Sequence, residues 1–312
     1  MRRILSIDGG GINGILPAAF LKNLDESIEG TIADYFDLIV GTSTGGILAL
    51  GLGLGISPGE LLSLYMGLGG RVFKKGVFSN WLTHLFRTKY NAGPLTKALR
   101  DTFEDRLLGE SRTRLVIPSV NEDTGGVYLF KTSHHPRLMT DYKKSAVTVA
   151  LATSAAPTYF PSHSGPSGLS LVDGGMWANN PTGVAVVEAL GMLEWPRNQI
   201  RVLSLGCTES PFKPLKYGGL FGGRLHWSVK AIELMFSAQS SAALGTASLL
   251  IGESSITRVN TQVAPGRFAL DKTSDLDALR GFGAAAARKH LPRLQKDFFS
   301  NKAEPFVPYH SN

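Results

Sequence analysis

The chain has 312 residues, 43% of them hydrophobic and 18% charged, a composition that buries a sizeable core and excludes a disordered or low-complexity protein. A single cysteine, Cys207, excludes an intrachain disulfide, and the N-terminus MRRILSIDGG reaches Asp8 before a signal-peptide apolar region develops, so a reducing, cytoplasmic setting is expected. A formal charge of +7 and a pI near 9.5 favour anionic partners, lipid headgroups or nucleic-acid phosphates.

No Pro/Ser-rich linker, charge-rich linker or internal repeat marks a boundary, and one domain over 1–312 is expected. The longest weakly polar stretch is read as GGILALGLGLGI at 45–56, too short and glycine-rich to span a membrane, which takes about 20 apolar residues. Contact with a membrane is therefore expected to be peripheral, at its inner face.

In chain order, RILSI (3–7) is a β-rich run ending in DGGG, and ILPAAFLKNLDESI (15–28) carries apolar residues at helical spacing. FDLIV (36–40) repeats the pattern, with a serine turn opening a helix over 44–54. RLVIPSV (114–120) and VYLFK (127–131) read as strands, and SAVTVALATSAA (145–156) as a small-residue helix stopped by Pro157. GLSLVDGG (168–175) is a strand ending in a glycine turn, followed by a helix opened by Pro181 and the strand IRVLSLG (200–206). A helix around 226–251, a strand at 255–260 and a helix from about 275 complete the chain. This alternation predicts an α/β fold, a three-layer α/β/α sandwich with a mostly parallel central sheet.

The basic excess is uneven. Between Glu60 and Asp101 lie Arg71, Lys74, Lys75, Arg87, Lys89, Lys97 and Arg100 without one acidic residue, interleaved with Phe73, Phe78, Trp81 and Phe86. Such a strip suits an anionic interface, and a solvated basic face over core aromatics explains the same residues. PLKYGGLFGGRLHW (214–227) has glycine pairs that would permit a mobile lid.

Three stretches carry chemistry. GTSTG (41–45) has the G-x-S-x-G spacing, in which small neighbours allow a sharp strand-to-helix turn and hold a serine hydroxyl out at the sheet edge. Ser43 would sit at a helix N-terminus, where exposed amides favour developing negative charge; alone, the pentapeptide equally describes an N-cap serine. IDGGGINGI (7–15) lets several backbone N–H groups converge on one anionic atom, as an oxyanion hole does. It also contains Gly9-x-Gly11-x-x-Gly14, a dinucleotide-binding spacing. Against that rival, FDLIV ends in Gly41-Thr42-Ser43 without the acidic residue a ribose needs, and Asp8 is a poor neighbour for pyrophosphate. GTSTGG also lacks the lysine of a P-loop. In LVDGGMWANNP (171–181), Asp173 stands at a strand end before two glycines that permit positive φ, with Asn179 and Asn180 as helix caps; alone, this is also a well-made turn. Together, the three fall at strand C-terminal ends, the edge where open α/β sheets gather their sites.

At Asp8-Gly9-Gly10-Gly11-x-x-Gly14, Gly41-Thr42-Ser43-Thr44-Gly45 and Asp173-Gly174-Gly175, supported by ATSAAPTYFP (152–161) and WANNP (177–181), the sequence resembles the patatin-like phospholipases, a family of lipid acyl hydrolases. The resemblance runs over roughly 3–206 and leaves the region after about 210 without a transferable motif. It implies a patatin-like fold and a Ser-Asp dyad of Ser43 and Asp173. It also implies an oxyanion hole built from Gly9, Gly10, Gly11 and Thr44, and membrane phospholipid as substrate. Where many members carry arginine before the last glycine of the first motif, this chain has Asn13. Some bacterial members act as antiviral effectors switched on by cyclic nucleotides, so a cyclic-nucleotide activator and a homo-oligomer are compatible with the resemblance, and a nucleic-acid polymer is not expected as partner. No cofactor is expected, and neither a paired-histidine nor an EF-hand spacing suggests a metal. The competing triad, Ser43, Asp173 and His226, places its histidine at the start of a helical stretch, and His134 and His135 read as surface or packing residues. The rivals from other classes are a dinucleotide-binding protein using GGGING and a catalytically idle lipid-binding module.

Overall fold

The computed structural model describes residues 1–72, 88–209, 224–264, 267–268 and 270–311, with side chains described at all of these except 70, 71, 167 and 224–233. Its strands are β1 (Arg2–Ile7), β2 (Leu38–Gly41), β3 (Arg114–Asn121), β4 (Val127–Lys131), β5 (His163–Ser164), β6 (Ser170–Asp173), β7 (Ile200–Leu205) and β8 (Ile256–Val259). They form one sheet in the order β5-β6-β3-β2-β1-β7-β8, with β4 on the remaining edge of β3. The five strands β3, β2, β1, β7 and β8 run parallel, in registers such as Ile4 opposite both Leu38 and Val202.

Period-two alternation in these strands divides the core. Ile4, Leu38, Val40, Val116 and Val202 face one helical layer, α7 (Thr182–Gly191) and α8 (Arg224–Ile251). Leu5, Ile7, Ile39, Leu115 and Ile117 face the other, which holds α1 (Ile15–Asp25), α2 (Thr44–Gly53), α3 (Pro58–Arg71), α4 (Gly93–Phe103), α5 (Ala146–Thr153) and α9 (Leu276–Asp297). The expected three-layer α/β/α sandwich is the observed one. The region after 210 supplies the edge strand β8 and one helix to each layer.

Several expectations are corrected. The helices α3 and α4 were not read from the sequence, although Ser57 and Glu60 form a capping box around Pro58 at the start of α3. Within the mostly parallel sheet that was expected, and is observed, β4 and β6 run antiparallel to β3. The stretch 45–56 is buried largely as α2, and among the described residues a different segment, Leu234–Ile251 within α8, is long and apolar enough by composition to cross a membrane. That helix nonetheless packs along α7 and buries Ala247 and Ile251. Of the basic-aromatic strip, residues 73–87 lie outside the described residues, as does 214–223 of the lid expectation. The strip's Lys89 is paired with Asp271, and Lys97 with Asp101.

Placement of the site follows from the edge of β3. Val116 pairs with Val40 of β2, and three residues further Ser119 pairs with Asp173 of β6. Because β6 runs against β3 and β2 runs with it, their C-terminal ends meet head to head along one edge.

Candidate active site

The turn after β2 is dictated by close backbone approaches. A Cβ on Gly41 would lie 2.1 Å from the carbonyl oxygen of Gly45, and one on Gly45 would lie 2.2 Å from that of Ile7. Ser43 between them takes φ 54° and ψ −122°, a strained conformation for a non-glycine residue that sets its hydroxyl at the head of α2. The strain is held in place by hydrogen bonds. The Ser43 amide donates to Thr153 Oγ1 at 3.0 Å, the Thr153 hydroxyl donates to the Pro118 carbonyl at 2.6 Å, and the Ser43 carbonyl accepts from Ile47 at 3.0 Å. The Thr42 hydroxyl donates to the Ala178 carbonyl at 2.7 Å.

Asp173 ends β6. Its Oδ2 accepts the Ser43 hydroxyl at 2.6 Å and its Oδ1 accepts the Gly175 amide at 2.7 Å. The side chain is buried, and desolvation raises its pKa from the ordinary 3.8 to about 6 against the opposing effect of these two hydrogen bonds. A buried aspartate with that pKa is ionised at neutral pH and is a stronger base than an exposed one. The following glycines do not adopt the positive φ expected of them. Gly174 has φ −62°, and a Cβ there would meet the Pro118 carbonyl oxygen at 2.3 Å, so close approach is the reason for glycine. Asn180 caps α7 through the Thr182 amide at 3.0 Å, whereas Asn179 serves the glycine loop.

That loop is anchored residue by residue. Arg258 forms a bidentate ion pair with the Asp8 carboxylate, with contacts of 2.9 and 2.5 Å, and also donates to Ser204 at 2.8 Å. The Gly9 amide donates to the Asn179 carbonyl and the Ile12 amide to the Leu270 carbonyl, each at 2.9 Å. A Cβ on Gly10 would meet Cys207 Cβ at 2.5 Å; Gly11 has φ +56° with the Leu270 carbonyl oxygen 2.3 Å from where its Cβ would stand. Of the four residues expected in the oxyanion hole, Gly9 is therefore an anchor, its amide already given to a protein carbonyl. The amides of Gly10, Gly11 and Thr44 have no acceptor among the described residues, and all three residues line the same cavity as Ser43 and Asp173. Thr44 is further fixed by its hydroxyl, 2.5 Å from the Gly11 carbonyl, and by Tyr65, whose hydroxyl donates to the Thr44 carbonyl at 2.9 Å. With two loop amides already occupied by protein carbonyls, the loop fits an oxyanion better than a pyrophosphate.

Beyond the polar end, the cavity is walled by apolar side chains, among them Ile47, Leu68, Leu95, Phe160, Met176 and Phe236. It suits an acyl chain lying with its carbonyl at Ser43. No cluster of metal-ligating side chains is found among the described residues.

None of the histidines with described side chains lines the cavity. His134 is buried, its Nδ1 2.9 Å from the Thr132 hydroxyl and its Nε2 2.9 Å from Glu188 Oε1, so both ring nitrogens are engaged; burial lowers its pKa and keeps it neutral at pH 7. Lys131 completes this structural cluster, 2.6 Å from Glu188 Oε2. His226 begins a helix as expected, and its side chain is outside the described ones.

Sequence reasoning missed Thr153, Asn179, Leu270 and Arg258 as supports. Only Arg258 carried a local signal, a cation in the middle of the short strand SITRVN, which demands a buried partner.

A family model described as patatin-like phospholipase matches residues 5–186. A Pseudomonas aeruginosa protein named cGAMP-activated phospholipase is 32% identical over 98% of this chain and 94% of its own length. One of the same name from Vibrio cholerae is 33% identical over 80% of this chain and 76% of its own. Among solved structures, VipD from Legionella pneumophila superposes with a TM-score of 0.50 at 12% identity, covering 95% of this chain and 67% of that one, a likeness of fold alone.

Proposed function

The chain belongs to the patatin-like phospholipase family and is a lipid hydrolase, and from that premise we propose that it cleaves acyl ester bonds of membrane glycerophospholipids with Ser43 as nucleophile and Asp173 as base. The observation that carries this is the 2.6 Å hydrogen bond from the Ser43 hydroxyl to a buried carboxylate at the end of an apolar cavity.

In the proposed reaction, Asp173 Oδ2 takes the hydroxyl proton as Ser43 Oγ attacks the ester carbonyl. The negative oxygen is received by the amides of Gly10, Gly11 and Thr44 and by the positive end of α2. Collapse of the tetrahedral intermediate expels the lysophospholipid alkoxide, which takes the proton from Asp173. Water then attacks the acyl-enzyme with Asp173 again as base, releasing fatty acid and restoring Ser43. No histidine is required, because desolvation gives the aspartate the basicity that an imidazole supplies in a triad.

Gating by a cyclic dinucleotide is part of the proposal. It is supported by alignment of the P. aeruginosa relative, named for its cGAMP activation, along nearly the whole chain. An enzyme that degrades membrane from the inner face is held in check until the signal arrives, a behaviour suited to antiviral defence. The test is fluorophosphonate labelling followed by peptide mapping, with and without a cyclic-dinucleotide panel that includes cGAMP. The proposal expects the adduct on Ser43 and a labelling rate raised by one nucleotide; an adduct on another serine, or a rate indifferent to the whole panel, contradicts the corresponding part.

A further inference from the structure

We infer that the rim formed by α6 (Gly175–Ala178) and the Leu234–Phe236 turn of α8 is the surface on which the protein seats itself on a phospholipid bilayer, an inference that rests on reading the cavity as the acyl site. Met176 and Phe236 line that cavity, one from each helix. Their chain neighbours continue outward as exposed apolar side chains: Trp177 at 39%, Leu234 at 38% and Met235 at 49% exposure, with Met176 itself 38% exposed. The two helices are tied together by Gln239, whose Nε2 donates to the Met176 carbonyl at 2.9 Å. Met235 stands one helical turn before Gln239 and so lies on the same side of α8.

Continuity decides the occupant. A fatty-acyl chain leaving a bilayer for the cavity passes from one apolar medium to another only if no polar gap lies between, and this rim supplies apolar surface from the cavity wall to the outside. Its composition suits the headgroup boundary: a tryptophan with an apolar body and a polar N–H, and methionines that adapt to an irregular surface. From Leu234 to Gly252 there is no charged residue, so seating this part of α8 buries no ion. Seating suits the packing of α8, which gives one side to α7 and holds Asn180 through Ser240 at 3.2 Å. A second copy of the chain fits less well. Beyond Met235 the exposed side of α8 carries only small residues, Ala238, Ser241, Ala242 and Gly245, until Leu249 and Leu250 at its far end, so the apolar rim at the cavity mouth is a separate, small patch beside the roughly 800 Å² per partner of a stable interface.

The test compares the wild type with the triple variant Trp177→Gln, Leu234→Gln, Met235→Gln in sedimentation with phosphatidylcholine vesicles, whose zwitterionic surface removes the basic residues from the comparison. None of the three lines the cavity. Vesicle affinity is expected to fall about tenfold or more, while fluorophosphonate labelling and hydrolysis of a monomeric p-nitrophenyl ester stay at wild-type rates. Equal vesicle binding by wild type and variant, or no binding by the wild type, overturns the inference. So does a wild-type dimer in lipid-free solution that the three substitutions dissociate. Vesicle binding lost in the variant while neither protein, with the cyclic-dinucleotide panel supplied, reacts with ester or fluorophosphonate supports the rim and instead sinks the hydrolase mechanism, so the two failures are distinct.

Discussion

The hydroxyl of Ser43 and the carboxylate of Asp173 lie 2.6 Å apart although 130 residues separate them, because their strands end head to head on one edge of β3. Strand polarity, more than any local motif, creates this pair: a parallel β6 would have carried its C-terminal carboxylate away from the end of β2.

The first consequence concerns pH. In the proposed reaction Asp173 acts as base only when ionised, and its pKa is raised to about 6. On a soluble ester kcat/KM should rise about tenfold per pH unit below pH 6 and level off above it. A profile that is flat between about pH 4.5 and 8 contradicts an aspartate base of this pKa.

The same shift has a cost in stability, with a definite sign. The folded pKa of Asp173 lies above the ordinary 3.8, so its favourable contribution is complete below that value and is lost as pH rises through about 6. Asp173→Asn keeps the shape and removes the titration. Denaturant unfolding should find the variant more stable than wild type by about 2–3 kcal/mol at pH 8, with the gain vanishing towards pH 4. A variant that is less stable at every pH contradicts the desolvation account.

Thr153 holds the strained Ser43 turn by accepting from the Ser43 amide and donating to the Pro118 carbonyl. Thr153→Val leaves both buried groups unpaired in an unchanged volume. It should destabilise the protein by about 1–3 kcal/mol and lower kcat with little change in KM, as measured on a soluble ester. Loss of stability with wild-type kcat would assign Thr153 to the fold alone.

Arg258 and Asp8 are 250 residues apart and form one buried ion pair beneath the glycine loop. Arg258→Met should destabilise by about 3–5 kcal/mol, since it strands the Asp8 carboxylate, and adding Asp8→Asn should recover much of that loss. Thermal unfolding of the single and double variants measures the coupling; strictly additive effects would deny it.

These relationships also mark what could be read from the sequence. The GTSTG turn was legible because Gly41 and Gly45 leave no alternative to a close-packed strand-to-helix turn, and the layers were legible because alternating residues such as Ile4 and Leu5 face opposite helices. The polarity of β6 was not, since SLVD has the same pattern whichever way it pairs. Nor was the division of labour in the glycine loop. Only contacts with Asn179, Cys207, Arg258 and Leu270, all distant in sequence, separate the anchored Gly9 from Gly10 and Gly11. The membrane expectation was placed on the basic-aromatic strip by its charge, while the apolar rim was overlooked because Met176 and Phe236 come to one cavity only when α8 folds back over α6.

The most direct measurement is fatty-acid release from mixed phospholipid vesicles by wild type, Ser43→Ala and Asp173→Asn, each confirmed folded, with cGAMP and related cyclic dinucleotides supplied. The account predicts release by the wild type and its loss by about a thousandfold or more in both variants. Release that persists in Asp173→Asn, or that is lost instead in His226→Ala, would contradict the dyad.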